Sequence, residues 1–263
     1  MRVCFEKWQG LGNDFVVIRD LGRDLGDAEV RRLCDRRFGI GADGVLLVET
    51  GAEAPRMIVR NADGSRPEMC GNGLRCVVGH LAATSAGRQM VVLTDAGPRA
   101  CEIAEVEPEG VEVVVEMGVA RREPDLVASV DGHEHRFLAF DMGNPHAITF
   151  EERADSEVDV LGPAVATLPP GGTNVEFCRL APGSADRIDV TVWERGVGRT
   201  LACGTGACAV AAAACDTGRA RFGAPVTVAL PGGALTITVD GETRAVRMRG
   251  PARRVFTGEV EIA

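Results

Sequence analysis

Three landmarks recur in this 263-residue sequence, in one order and at nearly one spacing. Asn13 in GLGNDFVVI is matched by Asn144 in MGNPHAITF, an offset of 144 minus 13, or 131 residues. Asn61 stands nine residues before Cys70 in VRNADGSRPEMCGNG. Glu194 stands nine before Cys203 in VWERGVGRTLACGTG, which puts the two cysteines 133 residues apart. A pattern repeated at that distance predicts two structurally related halves, each the size of an ordinary small domain with its own apolar core. The division falls at residues 1–118 and 119–263, with the C-terminal strand free to return to the first half. GVARREPDLVASVDG, with its Gly, Pro and mixed charges, reads as the connection.

Short alternating or apolar runs dominate both halves: VCFEKW, DFVVI, GVLLVE, RMIVR and VEVVVEMG, then RFLAF, AITF, IDVTVW, VTVAL and ALTITV. Bounded by Gly, Pro and Asp, they predict strands. Helical spacing is confined to DAEVRRLCDRR, to the stretch from Cys70 to Gly87, and to the stretch from Cys203 to Gly218. The last of these, TGACAVAAAACDTG, is apolar all round, the mark of an interior helix. The expected fold class is therefore α+β, with a β-rich sheet wrapped around a buried central helix in each half.

Composition excludes several function classes. The net charge of −9 leaves no basic footprint for nucleic acid or an anionic membrane, and the absence of Tyr with 4% aromatics argues against base-stacking platforms. MRVCFEKWQGLGNDFVVI is broken by charge and glycine, unlike a signal peptide or a membrane span, so a soluble cytoplasmic protein is expected. Nine cysteines, an odd number without any Cys-x-x-Cys, predict reduced thiols rather than a disulfide framework or a zinc site, and most of them buried. The single lysine, Lys7, sits in an alternating strand pattern and makes a poor Schiff-base residue. Carbanion chemistry here would run without pyridoxal phosphate.

Cys70 and Cys203 each precede a glycine-rich helix start, Cys-Gly-Asn-Gly and Cys-Gly-Thr-Gly. A helix mouth offers unpaired N–H groups and a partial positive charge, and glycine lets a ligand come close to them. Such a mouth cradles a carboxylate without a basic side chain and can lower the pKa of an adjacent thiol. Two such mouths acting on one carboxylate suit inversion at the carbon beside it. One thiolate removes the proton, the opposite thiol returns one, and the amides hold the developing charge.

GLGNDFVV, NADGS, MCGNGLRC, MGNPH, TNVEF, ERGVG and ACGTGACA occur in the order in which they occur in diaminopimelate epimerases, and over nearly the whole chain the sequence resembles that family. The resemblance implies cofactor-independent interconversion of LL- and meso-diaminopimelate, in lysine and cell-wall precursor synthesis. It also implies two pseudo-symmetric domains, each a barrel-like sheet around a central helix, and a homodimer. Carried over residue by residue, it makes Cys70 and Cys203 the acid/base pair. Gly71, Asn72, Gly204 and Thr205 become the groups holding the reacting carboxylate, and Asn13, Asn61, Asn144, Asn174, Glu194 and Arg195 line the substrate. His146 and Glu194 support catalysis, and no metal is implied. Four positions depart from residues common in the family: Gly44, Trp193, Arg199 and Phe256, the last at the expected dimer contact. Arg199 is expected to add positive charge near Cys203.

Rival readings remain: a proline or hydroxyproline epimerase, a thiol–disulfide redox protein, or a pure anion-binding module. The first lacks a use for Asn61, Asn174 and Arg195, because its substrates have no distal amino-acid head. The second lacks a resolving cysteine.

Overall fold

Parallel strand pairs need a long crossover, and both halves of this chain use helices to supply it. The computed structural model describes residues 1–51, 54–85, 87–180 and 186–262. They divide into two compact units, Met1–Val115 with Arg249–Ala263, and Glu116–Met248.

The first unit runs β1 (Arg2–Gly10), β2 (Asn13–Arg19), α1 (Asp27–Cys34), β3 (Gly44–Glu49), β4 (Arg56–Asn61), α2 (Gly71–Ala82), β5 (Gln89–Thr94), β6 (Gly97–Glu107) and β7 (Gly110–Val119). β1–β2 pair antiparallel, β2–β3 parallel, β3–β4 antiparallel, β4–β5 parallel and β5–β6 antiparallel. The later residues of the last strand, β16 (Ala245–Glu261), pair with β1 from Arg2↔Glu261 to Gln9↔Arg253, and β16 also neighbours β7. The sheet thereby closes into a barrel. Inside it, α2 buries ten of its twelve residues against β1, β2, β3, β4 and β6. The approach is close enough that a Cβ on Gly79 would lie 2.5 Å from the Trp8 ring, so glycine is required there.

The second unit runs β8 (Arg121–Val130), β9 (His133–Asp141), β10 (Pro145–Thr149), α3 (Asp155–Ala166), β11 (Asn174–Leu180), β12 (Arg187–Glu194), β13 (Gly198–Thr200), α4 (Gly204–Asp216), β14 (Pro225–Leu230) and β15 (Gly233–Val239). β9–β10 pair antiparallel, β10–β11 parallel, β11–β12 antiparallel, β12–β14 parallel and β14–β15 antiparallel. This is the pairing order of the first unit, with helices in the same two crossovers. The duplication read from three landmarks is therefore a duplication of topology. The Ala-rich α4 buries eleven of its thirteen residues, and its small side chains let strands from several directions reach it.

Three expectations need correction. GVARREPDLVASVDG is not a loose connection, since Arg121–Val130 is strand β8, paired with β9 from Arg121↔Asp141 to Val130↔His133. β8 ends the strand order, where Pro124 costs no ladder bond to a further neighbour, and the register shifts between Glu123 and Leu126. Secondly, the second unit carries a helix besides the central one: α3 was not foreseen because Gly162 and Pro163 interrupt its pattern. It holds through packing, for Val158, Leu161 and Val165 join a core with Phe137, Val175 and Phe177. Thirdly, α1 stops at Cys34 and α2 at Ala82, short of the expected Arg37 and Gly87. Of the cysteines, Cys4 is exposed, Cys70 half-buried and the other seven buried.

Candidate active site

In the first unit a tight hairpin delivers Asn13. Leu11 and Gly12 join β1 to β2 with φ of 56° and 80°, the left-handed pair that a type I′ turn requires, and Gly10 pairs with Asn13 across it. Asn13 Nδ2 donates to Asp43 Oδ2 at 2.9 Å, and Asn13 Oδ1 accepts from Asn72 Nδ2 at 3.3 Å. Asn72 Oδ1 accepts in turn from Arg75 Nη2 at 2.9 Å. Arg75 is fully buried in α2, with its guanidinium also on the carbonyls of Pro251 and Gly71. Asn61, by contrast, is the exposed last residue of β4, and its side chain donates to Ser65 Oγ.

Behind Asn13 lies an ion network. Lys7 Nζ, buried, is 2.6 Å from Asp14 and donates to the Gly41 carbonyl, and Arg36 bridges Asp14 and Asp43 at 2.7 Å each. Burial alone would raise the Asp14 carboxyl. Hydrogen bonds from Arg36 and Lys7, the link to Asp43 and the Lys7 charge outweigh it and hold the group at about 2.

Cys70 and Cys203 occupy equivalent places. Each is the extended N-cap of its helix, and each sulfur accepts the backbone N–H of the third helical residue: Gly73 to Cys70 at 3.4 Å, Gly206 to Cys203 at 3.3 Å. Gly71 and Gly204 are the buried first residues of the two helices. Thr205 Oγ1 is 3.5 Å from the Cys203 sulfur.

The second unit gathers the remaining residues. Asn144 Oδ1 is 3.1 Å from His146 Nε2. His146 pairs across the ladder with Asn174, whose side-chain oxygen accepts the Arg195 N–H at 3.0 Å. Arg195 places Nη1 on the Gly171 and Gly172 carbonyls at 2.6 and 3.3 Å, and Glu194 Oε1 accepts from Thr200 Oγ1 at 2.6 Å.

The environment of Cys203 departs from expectation. A helix mouth should lower a thiol, yet burial pushes this one well above 9.0, and the charges of Glu194 and Glu176 push the same way. Bonds from Thr205 and the Gly206 amide only partly offset them. Arg199 does not help, for its guanidinium is committed to Asp155 and Asp159 of α3. Trp193 is likewise structural: a Cβ on Gly162 would lie 2.6 Å from its ring.

Two residues here were missed from sequence. Arg75 and Glu176 are single charges inside apolar runs, GLRCVV and NVEFC, and that isolation was the available signal. Glu176 and His146 have wholly buried side chains, joined Oε1 to Nδ1 at 2.7 Å. With Cys203 they form a cluster of metal-type donor atoms within 4.8 Å of one another, found among the described residues. The direct His146–Glu176 hydrogen bond already engages two of those donors, while the Cys203 sulfur is bonded to Thr205 and the Gly206 amide.

The family model described as diaminopimelate epimerase matches residues 5–123 and 138–255. A diaminopimelate epimerase of Desulforudis audaxviator is 44% identical over 97% of this chain and 98% of its own. One from a Synechococcus species is 42% identical, covering 98% of each. Among solved structures, a hydroxyproline epimerase from Agrobacterium vitis superposes with a TM-score of 0.73 over 98% of this chain and 92% of its own, at 17% identity, a likeness of fold.

Proposed function

The chain belongs to the diaminopimelate epimerase family, and on that premise we propose a cofactor-independent, two-base interconversion of LL- and meso-diaminopimelate with Cys70 and Cys203 as the acid/base pair. The observation that carries this reading is the matched pair of capping sulfurs, each 3.3–3.4 Å from the amide of the third helical residue. No other pair of thiols among the described residues shares that placement.

The chemistry follows from the groups. The reacting carboxylate lies on the amides of Gly71, Asn72, Gly204 and Thr205, with no cationic side chain required. A thiolate takes the α-proton. The electron pair left on carbon spreads into the carboxylate, where the oriented amides hold it, and the opposite thiol delivers its proton to the other face. At the end the two sulfurs have exchanged protonation states, so the resting pair is one thiolate and one thiol. The distal amino-acid head needs fixed polar partners. Arg195 suits its carboxylate, while Glu194, Asn13, Asn61, Asn144 and Asn174 suit its ammonium or carboxylate. His146 orients the second sulfur's surroundings.

The enzyme is read as cytoplasmic and homodimeric, serving both lysine and cell-wall precursor synthesis, with halves divided near residue 118 and the C-terminal strand returned to the first. The packing of Arg249–Ala263 with the first unit supports that return. The exposed Phe256, edge-on to Phe5 at 5.9 Å, supports a contact surface at β16. No helix among the described residues is long and apolar enough to cross a membrane.

The test is turnover of LL-diaminopimelate in heavy water, following isomer ratio and deuterium uptake together. Cys70→Ser and Cys203→Ser should each lose inversion by about a thousandfold or more, because a hydroxyl is far less acidic than a thiol. Robust inversion by either single variant, correctly folded, would sink the two-sulfur mechanism.

A further inference from the structure

We propose that Glu176, with His146, is the positioning residue of Cys203: a buried carboxylate that keeps this sulfur protonated at rest and so makes it the proton donor when the resting pair first turns over. The inference rests on the two-sulfur reading above and says which sulfur holds the proton.

Glu176 is the second alternate residue of β11 after Asn174, in line with the substrate-side face of that strand. Its side chain is wholly buried, as is that of His146. A carboxylate oxygen accepts, so His146 Nδ1 carries the proton of the 2.7 Å bond and Nε2 faces Asn144 at 3.1 Å. The second oxygen, Oε2, is buried without a hydrogen-bond partner among the described residues. An unpartnered carboxylate oxygen in a dry interior is costly to keep, and replacement by an apolar side chain would remove that cost. What the position retains is a buried carboxyl group close to a sulfur. A Cβ on Gly206 would lie 2.5 Å from Glu176 Oε1 and 3.2 Å from Cys203 Sγ, so glycine is what lets carboxylate and sulfur share one corner of the α4 mouth.

The charged and titratable groups around this sulfur are Glu176 of β11, Glu194 of β12 and His146 of β10. Cys178, on the same strand as Glu176, is also pushed up by burial and by the Glu176 charge, with Arg219 opposing. Glu194 is spoken for in part by Thr200. In the first unit the place of Glu176 is taken by Leu46, 3.0 Å from a Cβ on Gly73 where Glu176 lies 2.5 Å from one on Gly206, and the charged residue buried in α2 is Arg75. Two helix mouths alike in backbone therefore differ in the charge behind them, and the proton goes to the sulfur backed by carboxylates.

The experiment labels cysteine at 13Cβ, assigns the Cys203 signal by its loss in Cys203→Ser, and follows its shift with pH in the wild type and in Glu176→Gln. Glutamine keeps the shape and still accepts from His146 Nδ1, but lacks the charge. The Cys203 midpoint should lie above the ordinary thiol value of 9.0 in the wild type and fall by at least about one unit in Glu176→Gln, about tenfold more thiolate at a fixed pH below it. The Cys70 midpoint should not move. A wild-type midpoint at or below the ordinary value overturns the proposal even if the variant does not fold. So does a folded variant whose Cys203 curve overlies the wild type, the outcome of a purely structural Glu176. The titration uses no substrate. A protein that passes it yet exchanges no α-proton on diaminopimelate has lost the functional reading and kept this one.

Discussion

Gly206 offers the sharpest test of how tightly the second helix mouth is built. In Gly206→Ala the new Cβ would meet Glu176 Oε1 at 2.5 Å, whereas ordinary contact begins near 3.4 Å, so the oxygen must retreat by 3.4 minus 2.5, or 0.9 Å. It has nowhere to go without loss, since that oxygen is held 2.7 Å from His146 and the carboxylate is wholly buried. Overpacking of this kind costs about 1–3 kcal/mol, and weakening a charged buried hydrogen bond adds about 1 kcal/mol. Alanine returns less than about 1 kcal/mol through better helix propensity. The net destabilisation is about 2 kcal/mol, or about 4–8 °C in Tm for a chain of this size. Catalysis should suffer as well, because the same Cβ would press on Cys203 Sγ at 3.2 Å, and misplacing a reacting group by as much as about 1 Å costs about a hundredfold in rate. Calorimetry and deuterium uptake at the substrate α-carbon read the two effects. Gly51→Ala, where a Cβ would meet nothing within 4 Å, is the control and should change neither. A Gly206→Ala protein with wild-type Tm and exchange rate would refute the packing argument, and with it the shared corner of Glu176 and Cys203.

Acid should loosen the first unit in a defined window. Asp14 sits at about 2 when folded against 3.8 ordinarily, so its contribution is complete above pH 3.8 and is lost as pH falls toward 2. Asp14→Asn should flatten that part of a urea-midpoint curve, and an unchanged acid limb would count against the Lys7–Asp14–Arg36 network. Arg195→Lys keeps the charge but cannot span the Gly171 and Gly172 carbonyls while presenting a planar fork. KM for diaminopimelate should rise by about 10- to 100-fold with a smaller change in kcat. An unaltered KM would remove Arg195 from the distal recognition set.

What could be read in advance was whatever a short window of sequence encodes. The repeated Asn, Glu and Cys landmarks announced a duplicated topology, and the paired Cys-Gly starts marked the mouths of α2 and α4. The all-apolar ACAVAAAAC declared an interior helix. Each of these signals is local, resting on periodicity, capping or glycine, whose physics acts over one or two turns of chain. Where local chemistry and packing disagreed, packing prevailed. Pro124 and its charged neighbours looked like a linker but form a strand at the end of the order, and Pro163 hid a helix that core contacts sustain. The same holds at the site. That Cys203 caps a helix was legible, but the upward push on its thiol was not, because it comes from burial first and then from Glu194 and Glu176, nine and 27 residues upstream in the sequence. Glu176 finds its hydrogen-bond partner 30 residues away in His146. A charge acquires its strength from the water that folding removes and from the partners that folding brings near. Which residues cap the two buried helices was therefore written in the sequence, and what surrounds each sulfur was decided only by the tertiary structure.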